Sequence, residues 1–248
     1  MQTDSFNIGV IQPVECMKEG WEMIKADYWL FFGITIVGLL LAGAIPIVLI
    51  GPLLCGIYYC MLKRHDGGKV EFGDLAKGFD FFVPSLIAIL IIAGFFLVVG
   101  GVIIVIPMML AMVATAAGSP EAGLFFMVIM CIVIFIFGIV AACAHVLILF
   151  THLLIIDRKL DGWQAVKLSA KAGWQNLNGV VGFILVQFGL VLVGYLLCIV
   201  GAYLTLPILY AGTTVVYRKV FPRFDGAPDY SVPPSPANYP AAGFNPPV

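Results

Sequence analysis

Charge is scarce in this sequence: Asp, Glu, Lys and Arg make up 11% of its 248 residues, against about 25% in ordinary soluble domains. Four blocks, 30–62, 81–120, 122–156 and 179–217, contain none at all. No water-soluble fold of this size hides that much apolar surface, and each block far exceeds the roughly 20 residues a helix needs to cross the hydrocarbon core. The formal net charge is -1, which gives no basic footprint for nucleic acid. The six cysteines (16, 55, 60, 131, 143 and 198) form no CxxC pair, and five lie inside apolar blocks. They read as small apolar packers, since zinc or redox ligands need closer spacing. HExxH, GxSxG and P-loop motifs are missing. No carboxylate falls inside an apolar block, so an ion-coupled transporter or proton relay lacks its usual titratable group. No catalytic residue, cofactor or metal is therefore assigned, and the chain is expected to be non-enzymatic. A cleavable signal peptide is also not expected. The first apolar block is much longer than a signal h-region, and partly polar sequence precedes it.

The blocks lack the strict alternation of a membrane barrel, and helices satisfy their backbone groups internally, as lipid requires. The expected fold is all-α, a polytopic transmembrane helical bundle. Block 30–62 breaks around Gly43 to Pro46, with Gly51-Pro52 beyond it. Block 179–217 carries Gly194, Gly201 and Pro207, and block 81–120 carries Gly100-Gly101 and Pro107. Block 122–156 has no proline and reads as one long helix. Lys and Arg cluster before, between and after the blocks, except around Gly118-Ser119-Pro120-Glu121. By the positive-inside rule that connection faces away from the cytoplasm and the other polar segments face it. The first and last blocks then cross twice and the middle two once, giving six spans with both termini cytoplasmic.

A partial repeat runs through the chain. Lys18-Glu19-Gly20-Trp21, Lys77-Gly78-Phe79 and Lys171-Ala172-Gly173-Trp174 each precede an apolar block and close an amphipathic stretch, at 14–25, 72–82 and 163–171. Within the last, Lys167 and Lys171 are four apart and share a helical face. Such helices suit the headgroup layer, and Lys18, Trp21, Lys77, Phe79, Lys171 and Trp174 are the candidate lipid-headgroup contacts. Pro52, Gly56 and Lys63-Arg64 echo Pro207, Gly212 and Arg218-Lys219 downstream. The chain divides into an N-terminal segment at 1–29 with an interfacial helix, a membrane domain at 30–220 and a Pro-rich tail at 221–248. Proline at that density blocks helix and sheet and favours extended polyproline II. Pro233, Pro234, Pro236 and Tyr239 are the candidate docking residues for a protein partner.

The succession Ile155-Ile156-Asp157-Arg158-Lys159-Leu160, Ala165-Val166-Lys167-Leu168-Ser169, Asn176, Leu204-Thr205-Leu206-Pro207 and Tyr217-Arg218 resembles an uncharacterised family of bacterial six-helix membrane proteins. That family is similar to the membrane domain of some glycerophosphodiester phosphodiesterases. The resemblance covers 51–221 and implies a fold, a topology and a multi-pass place in the bacterial inner membrane. It implies no activity, because the phosphodiesterase's soluble catalytic domain has no counterpart here.

Among intramembrane polar residues, His145 and His152 stand seven apart on one expected helix. Two turns separate them by about 10 Å, too far for one metal, and each is expected to hydrogen-bond a neighbouring helix. Gln187 is expected to join two helices. Asp157, Arg158, Lys159 and Asp161 read as stop-transfer charges with an N-cap at Asp161. The acids Asp66, Glu71, Asp74 and Asp80 share a loop with His65 but are irregularly spaced for a cation. Gly94, Gly100, Gly101, Gly182, Gly189, Gly194 and Gly201 are expected to allow close helix approach. The leading functional expectation is a membrane scaffold or accessory subunit that meets membrane lipids at its interfacial helices and a protein through its tail. The alternative is a transporter or permeation pathway for a lipid or small apolar solute, motivated by the repeat and the broken helices.

Overall fold

The computed structural model describes residues 5–116, 120–196 and 199–223. Among them there is helix and no strand. Five stretches are long and apolar enough to cross a membrane: Pro13–Ala44, Phe72–Leu110, Val128–Arg158, Leu177–Leu196 and Val200–Val220. The chain is a polytopic helical membrane protein.

Among the described residues the helices fall into three units, each opening with a helix that buries one face. The first unit opens with α1 (Pro13–Ile24), which starts on a proline and buries Cys16, Met17, Gly20 and Ile24 along one face. A single 3-10 turn leads into α2 (Tyr28–Ala44), apolar on every side, and a tight reversal at 45–49 leads back through α3 (Ile50–His65). This reversal falls on the expected break around Gly43 to Pro46. The second unit opens with a 3-10 helix, Phe72–Phe81, held by a reciprocal cap. Glu71 accepts from the third residue's backbone, and Asp74 accepts from the Glu71 N–H at 2.8 Å. Next comes α4 (Phe82–Gly100), then a π-helical stretch, Gly101–Val105, and α5 (Ile106–Ala116), with Pro107 in its first turn. Thus Gly100-Gly101 and Pro107 loosen this arm without reversing it.

The return arm of the second unit departs from expectation. Block 122–156 is not one helix but two, α6 (Pro120–Ile148) and α7 (Thr151–Arg158), parted at Leu149-Phe150. No proline or glycine marks the break. A neighbour makes it possible: the Ser169 hydroxyl accepts from the Phe150 N–H at 3.1 Å and donates to the Leu147 carbonyl at 2.7 Å. Backbone groups released at membrane depth are tolerated where a neighbouring helix satisfies them. The third unit opens with α8 (Gly162–Gln175), whose N-cap is Asp161, accepting from Gln164 N–H at 2.8 Å. It continues through α9 (Leu177–Leu196) and α10 (Ile199–Val220). Pro207 lies inside α10 and does not end it.

Each amphipathic helix packs on the return arm of another unit: α1 on α10, the 3-10 helix on α3, and α8 on α6. Unit one therefore leans on unit three, unit two on unit one, and unit three on unit two, which closes a ring. The core sits at the end of the bundle where these helices lie. Phe150, Tyr217 and Phe221 are fully buried there, with Phe31, Ile34, Leu53, Ile57 and Met61 in a second cluster around α2 and α3. Toward the hairpin tips the apolar side chains face outward, as Leu97, Val113 and Phe135 do.

Candidate functional site

The three amphipathic helices share one construction at their ends. In each, a Lys and an aromatic residue face outward while the glycine beside the aromatic presses on a foreign helix. Lys18 and Trp21, Lys77 and Phe79, and Lys171 and Trp174 are all exposed. A β-carbon on Gly20 would lie 2.6 Å from the backbone nitrogen of Gly212 in α10. One on Gly78 would run into the Pro52 carbonyl and the Gly56 backbone of α3, and one on Gly173 would lie 2.6 Å from the Val146 carbonyl of α6. Ion pairs fasten two of the corners: Lys219 to Glu19 at 2.7 Å and Lys63 to Asp74 at 2.8 Å. The repeat noticed through its Lys and Trp residues thus has glycine as its contact point, and the recurrence of Gly before each aromatic was the signal for it.

Of the glycines expected to bring helices together, Gly194 meets the Ala202 backbone and Gly182 meets Pro13. A side chain at Gly94, Gly101 or Gly189 would meet nothing within 4 Å, and one at Gly100 would make ordinary contact with Phe137. Those four bring no helices close together within the chain, whereas Gly201 lies against Gly194.

Inside the ring of corners lies an ion network absent from the sequence reading. Asp66 follows α3, Asp157 ends α7, and Arg218 ends α10. The Arg218 guanidinium donates to Asp66 through Nε at 3.1 Å and Nη2 at 2.6 Å, and to Asp157 through Nη1 at 2.8 Å. The Tyr217 hydroxyl donates to the same Asp157 oxygen at 2.7 Å. The side chains of Arg218, Asp66 and Asp157 are only 3–6% exposed. Arg158, also buried, donates to the Ser5 carbonyl at 3.1 Å and stacks 5.0 Å from the Phe221 ring centre. Asp157 and Arg158 are therefore buried and paired rather than solvated charges at a helix end. Burial pushes the Asp66 carboxyl up, but the hydrogen bond from His65 and the charge of Arg218 outweigh it and hold Asp66 below its ordinary range. The sequence signal was a short cluster of charges after each of three apolar runs, with the partners more than 60 residues apart.

The break at Leu149-Phe150 separates the two intramembrane histidines. His145 is exposed on α6, while His152 is buried on α7 and stacks on Tyr58, ring centres 6.5 Å apart. Among the described residues the His152 Nε2 and the neighbouring Thr151 hydroxyl find no hydrogen-bond partner, unlike the interhelical bond expected of the histidine. Gln187 joins α9 to α10, its amide donating to Thr213 Oγ1 at 3.1 Å and to the Leu209 carbonyl at 3.3 Å. The acids near His65 are divided between cations: Asp66 goes to Arg218 and Asp74 to Lys63. Among the described residues no group of three or more His, Cys, Asp or Glu side chains gathers to hold a metal. Pro233, Pro234, Pro236 and Tyr239 lie outside the described residues. Comparison of the chain with family models, curated proteins and solved structures finds no match.

Proposed function

We propose that this chain is a six-span, non-enzymatic scaffold or accessory subunit of a membrane complex, with both termini in the cytoplasm. The observation that carries the reading is the Arg218 network. Groups within hydrogen-bonding distance share one side of a bilayer, so Asp66, Asp157 and Arg218 lie at the same face. Ser5 joins them through Arg158, and Asn7 donates its backbone N–H to the Val220 carbonyl at 2.8 Å. Each unit then leaves this face and returns to it, an even number of crossings. With α3 as the return arm of the first unit, the total is six. The positive-inside pattern supports putting the shared face in the cytoplasm.

The same network favours a static role. Arg218 ties the ends of three return arms, and the corner glycines and ion pairs fasten the helices around them. The result is a platform, and the Pro-rich sequence 224–248 follows it in the chain. Exposed Lys18, Lys77 and Lys171, with Trp21, Phe79 and Trp174 beside them, match the headgroup layer, where basic residues and amphipathic aromatics both gain. Polyproline segments dock in aromatic-lined grooves of partner proteins.

The test is a pull-down in mild detergent or native nanodiscs, comparing the full chain with one ending after Arg223, followed by mass spectrometry. A protein partner captured by the full chain and lost with the tail is the expected result. Identical captures from both chains would overturn tail-mediated recruitment. The alternative, a permeation pathway for a lipid or small apolar solute, draws on the apolar grooves that flank α6. Flux through the purified chain in sealed vesicles would establish it.

A further inference from the structure

The ring of corners holds at α8, but below that point α6 and α9 part. Between them runs a groove of ≈ 340 Å³, walled by Ile139, Cys143, Val146, Val181, Ile184 and Leu185, with no polar atom in its lining. Along α9 it extends from Leu177 to Leu185, about 12 Å of helix. Trp174 and Leu177 also line it, and these two residues are walls of a second pocket of ≈ 480 Å³. That pocket is mixed, lined by Ile8, Gly9 and Ile11 as well as by Gln175, Asn176 and Asn178.

The amide pocket has a fixed frame. Asn176 accepts from the Gly9 N–H at 2.9 Å and donates to the carbonyls of Asn7 and Ala172, each at 3.1 Å. Gln175 and Asn178 are exposed. Lys171 is also exposed and shares a helical face with Trp174 and Gln175, three and four residues on. Two exposed amides therefore stand next to an apolar slot, and the Lys171 ammonium lies one turn back on the same helix, 6.0 Å from the Phe6 ring centre. Another groove beside α6, between α4 and α8, is ≈ 180 Å³ and wholly apolar, and it shares no residue with the pocket around Asn176.

We propose that the α6/α9 groove and its amide pocket form a binding site for one phospholipid. An acyl chain lies between Cys143 and Val181, and the phosphate meets Lys171, Gln175 and Asn178. At this depth the surrounding solvent is hydrocarbon, so a dry slot opening sideways takes an acyl chain. The paired amides and the lysine are what distinguish this lipid from those merely surrounding the protein. The inference rests on the membrane setting proposed above and on Lys171 facing headgroups, and it is independent of any partner of the tail.

The experiment is native mass spectrometry of the full chain, released from detergent after incubation with phosphatidylglycerol or with phosphate-free diacylglycerol. The wild-type chain is expected to retain one phosphatidylglycerol and little diacylglycerol. Val181→Trp or Cys143→Trp, which fill the slot, should lower retention about tenfold, as should the pair Lys171→Ala with Gln175→Ala, each equivalent to roughly 1.4 kcal/mol. Ile92→Trp, in the groove without an amide pocket, should leave it unchanged. Thermal unfolding in the same detergent identifies any variant that fails to fold, in which case the other slot variant decides. Retention unchanged in a folded slot variant, equal retention of diacylglycerol, or no lipid on the wild type would overturn the site. A pull-down that finds no partner would leave it standing.

Discussion

Arg218 faces two carboxylates and a tyrosine in a setting where water cannot help any of them. Desolvating such a group of charges offsets much of their mutual attraction, so a buried network adds little over a well-packed apolar replacement. Removing one member is different, because the others stay buried without their partner. Arg218→Met leaves Asp66 and Asp157 facing each other and should lower stability by roughly 3–5 kcal/mol. Adding Asp66→Asn and Asp157→Asn removes the stranded charges and should recover a large part of that loss. Thermal or denaturant unfolding of the two variants in one detergent measures both effects. Equal stability of the wild type and Arg218→Met would mean that the network contributes nothing to holding the arms together. Its specificity comes from geometry: the bidentate contact with Asp66 sets the level of the α3 end against α10, and Nη1 sets the α7 end. None of this could be read from the sequence beyond the clustering of charges at the ends of apolar runs, since Asp66 and Arg218 are 152 residues apart.

At the scale of the element, amphipathic period was the legible signal and interhelical contact was not. The stretches at 14–25, 72–82 and 163–171 appear as α1, the 3-10 helix and α8 with nearly the expected bounds, because alternation of burial along one face is written locally. The reversal at 45–49 was legible for the same reason, through its glycine and proline. The break at Leu149-Phe150 was not, because its cause is the hydroxyl of Ser169 on another helix. The corner glycines fall between these cases: the recurring Gly-aromatic pair was visible, but its contact was not. Gly78→Val tests their role, since even the first added carbon meets the Pro52 carbonyl and the Gly56 backbone. Both are main-chain groups on a packed helix, so the 3-10 helix must lift from α3. A loss of about 1–3 kcal/mol is expected, the usual cost of overpacking. Gly94→Ala, where nothing stands within 4 Å, should instead be neutral or stabilising by up to about 1 kcal/mol through helix propensity. Destabilisation of similar size at both positions, measured by unfolding in detergent, would remove the distinction between corner and arm.

For the molecule as a whole, the decisive element is α3. At 16 residues it rises about 24 Å, less than the roughly 30 Å of a typical hydrocarbon core. It falls outside the five stretches that qualify by length and composition, yet Arg218 holds the residue just after it. If α3 stopped short, the loop carrying Asp66 would face the opposite side from Asp157 and Arg218, and the network could not form. In the proposed six-span reading, packing compensates for the short length. Leu53, Cys55, Ile57, Cys60 and Met61 are buried, so α3 lies inside the bundle with α2, α4, α7, α10 and the 3-10 helix around it, and it does not need to match the lipid thickness alone. The prediction is that Lys69→Cys, on the loop after α3, resists an impermeant maleimide added outside intact cells and reacts once the membrane is opened. The background carries replacements of the six native cysteines. Ser119→Cys, in the connection that lacks Lys and Arg and lies outside the described residues, should react from outside. Labelling of Lys69→Cys in intact cells would mean five crossings, and the shared cytoplasmic face would be lost with the sixth. Protection at Lys69 with labelling at Ser119 places the Asp66 loop, the α7 end and the start of the tail on one side, the arrangement a cytoplasmic platform requires.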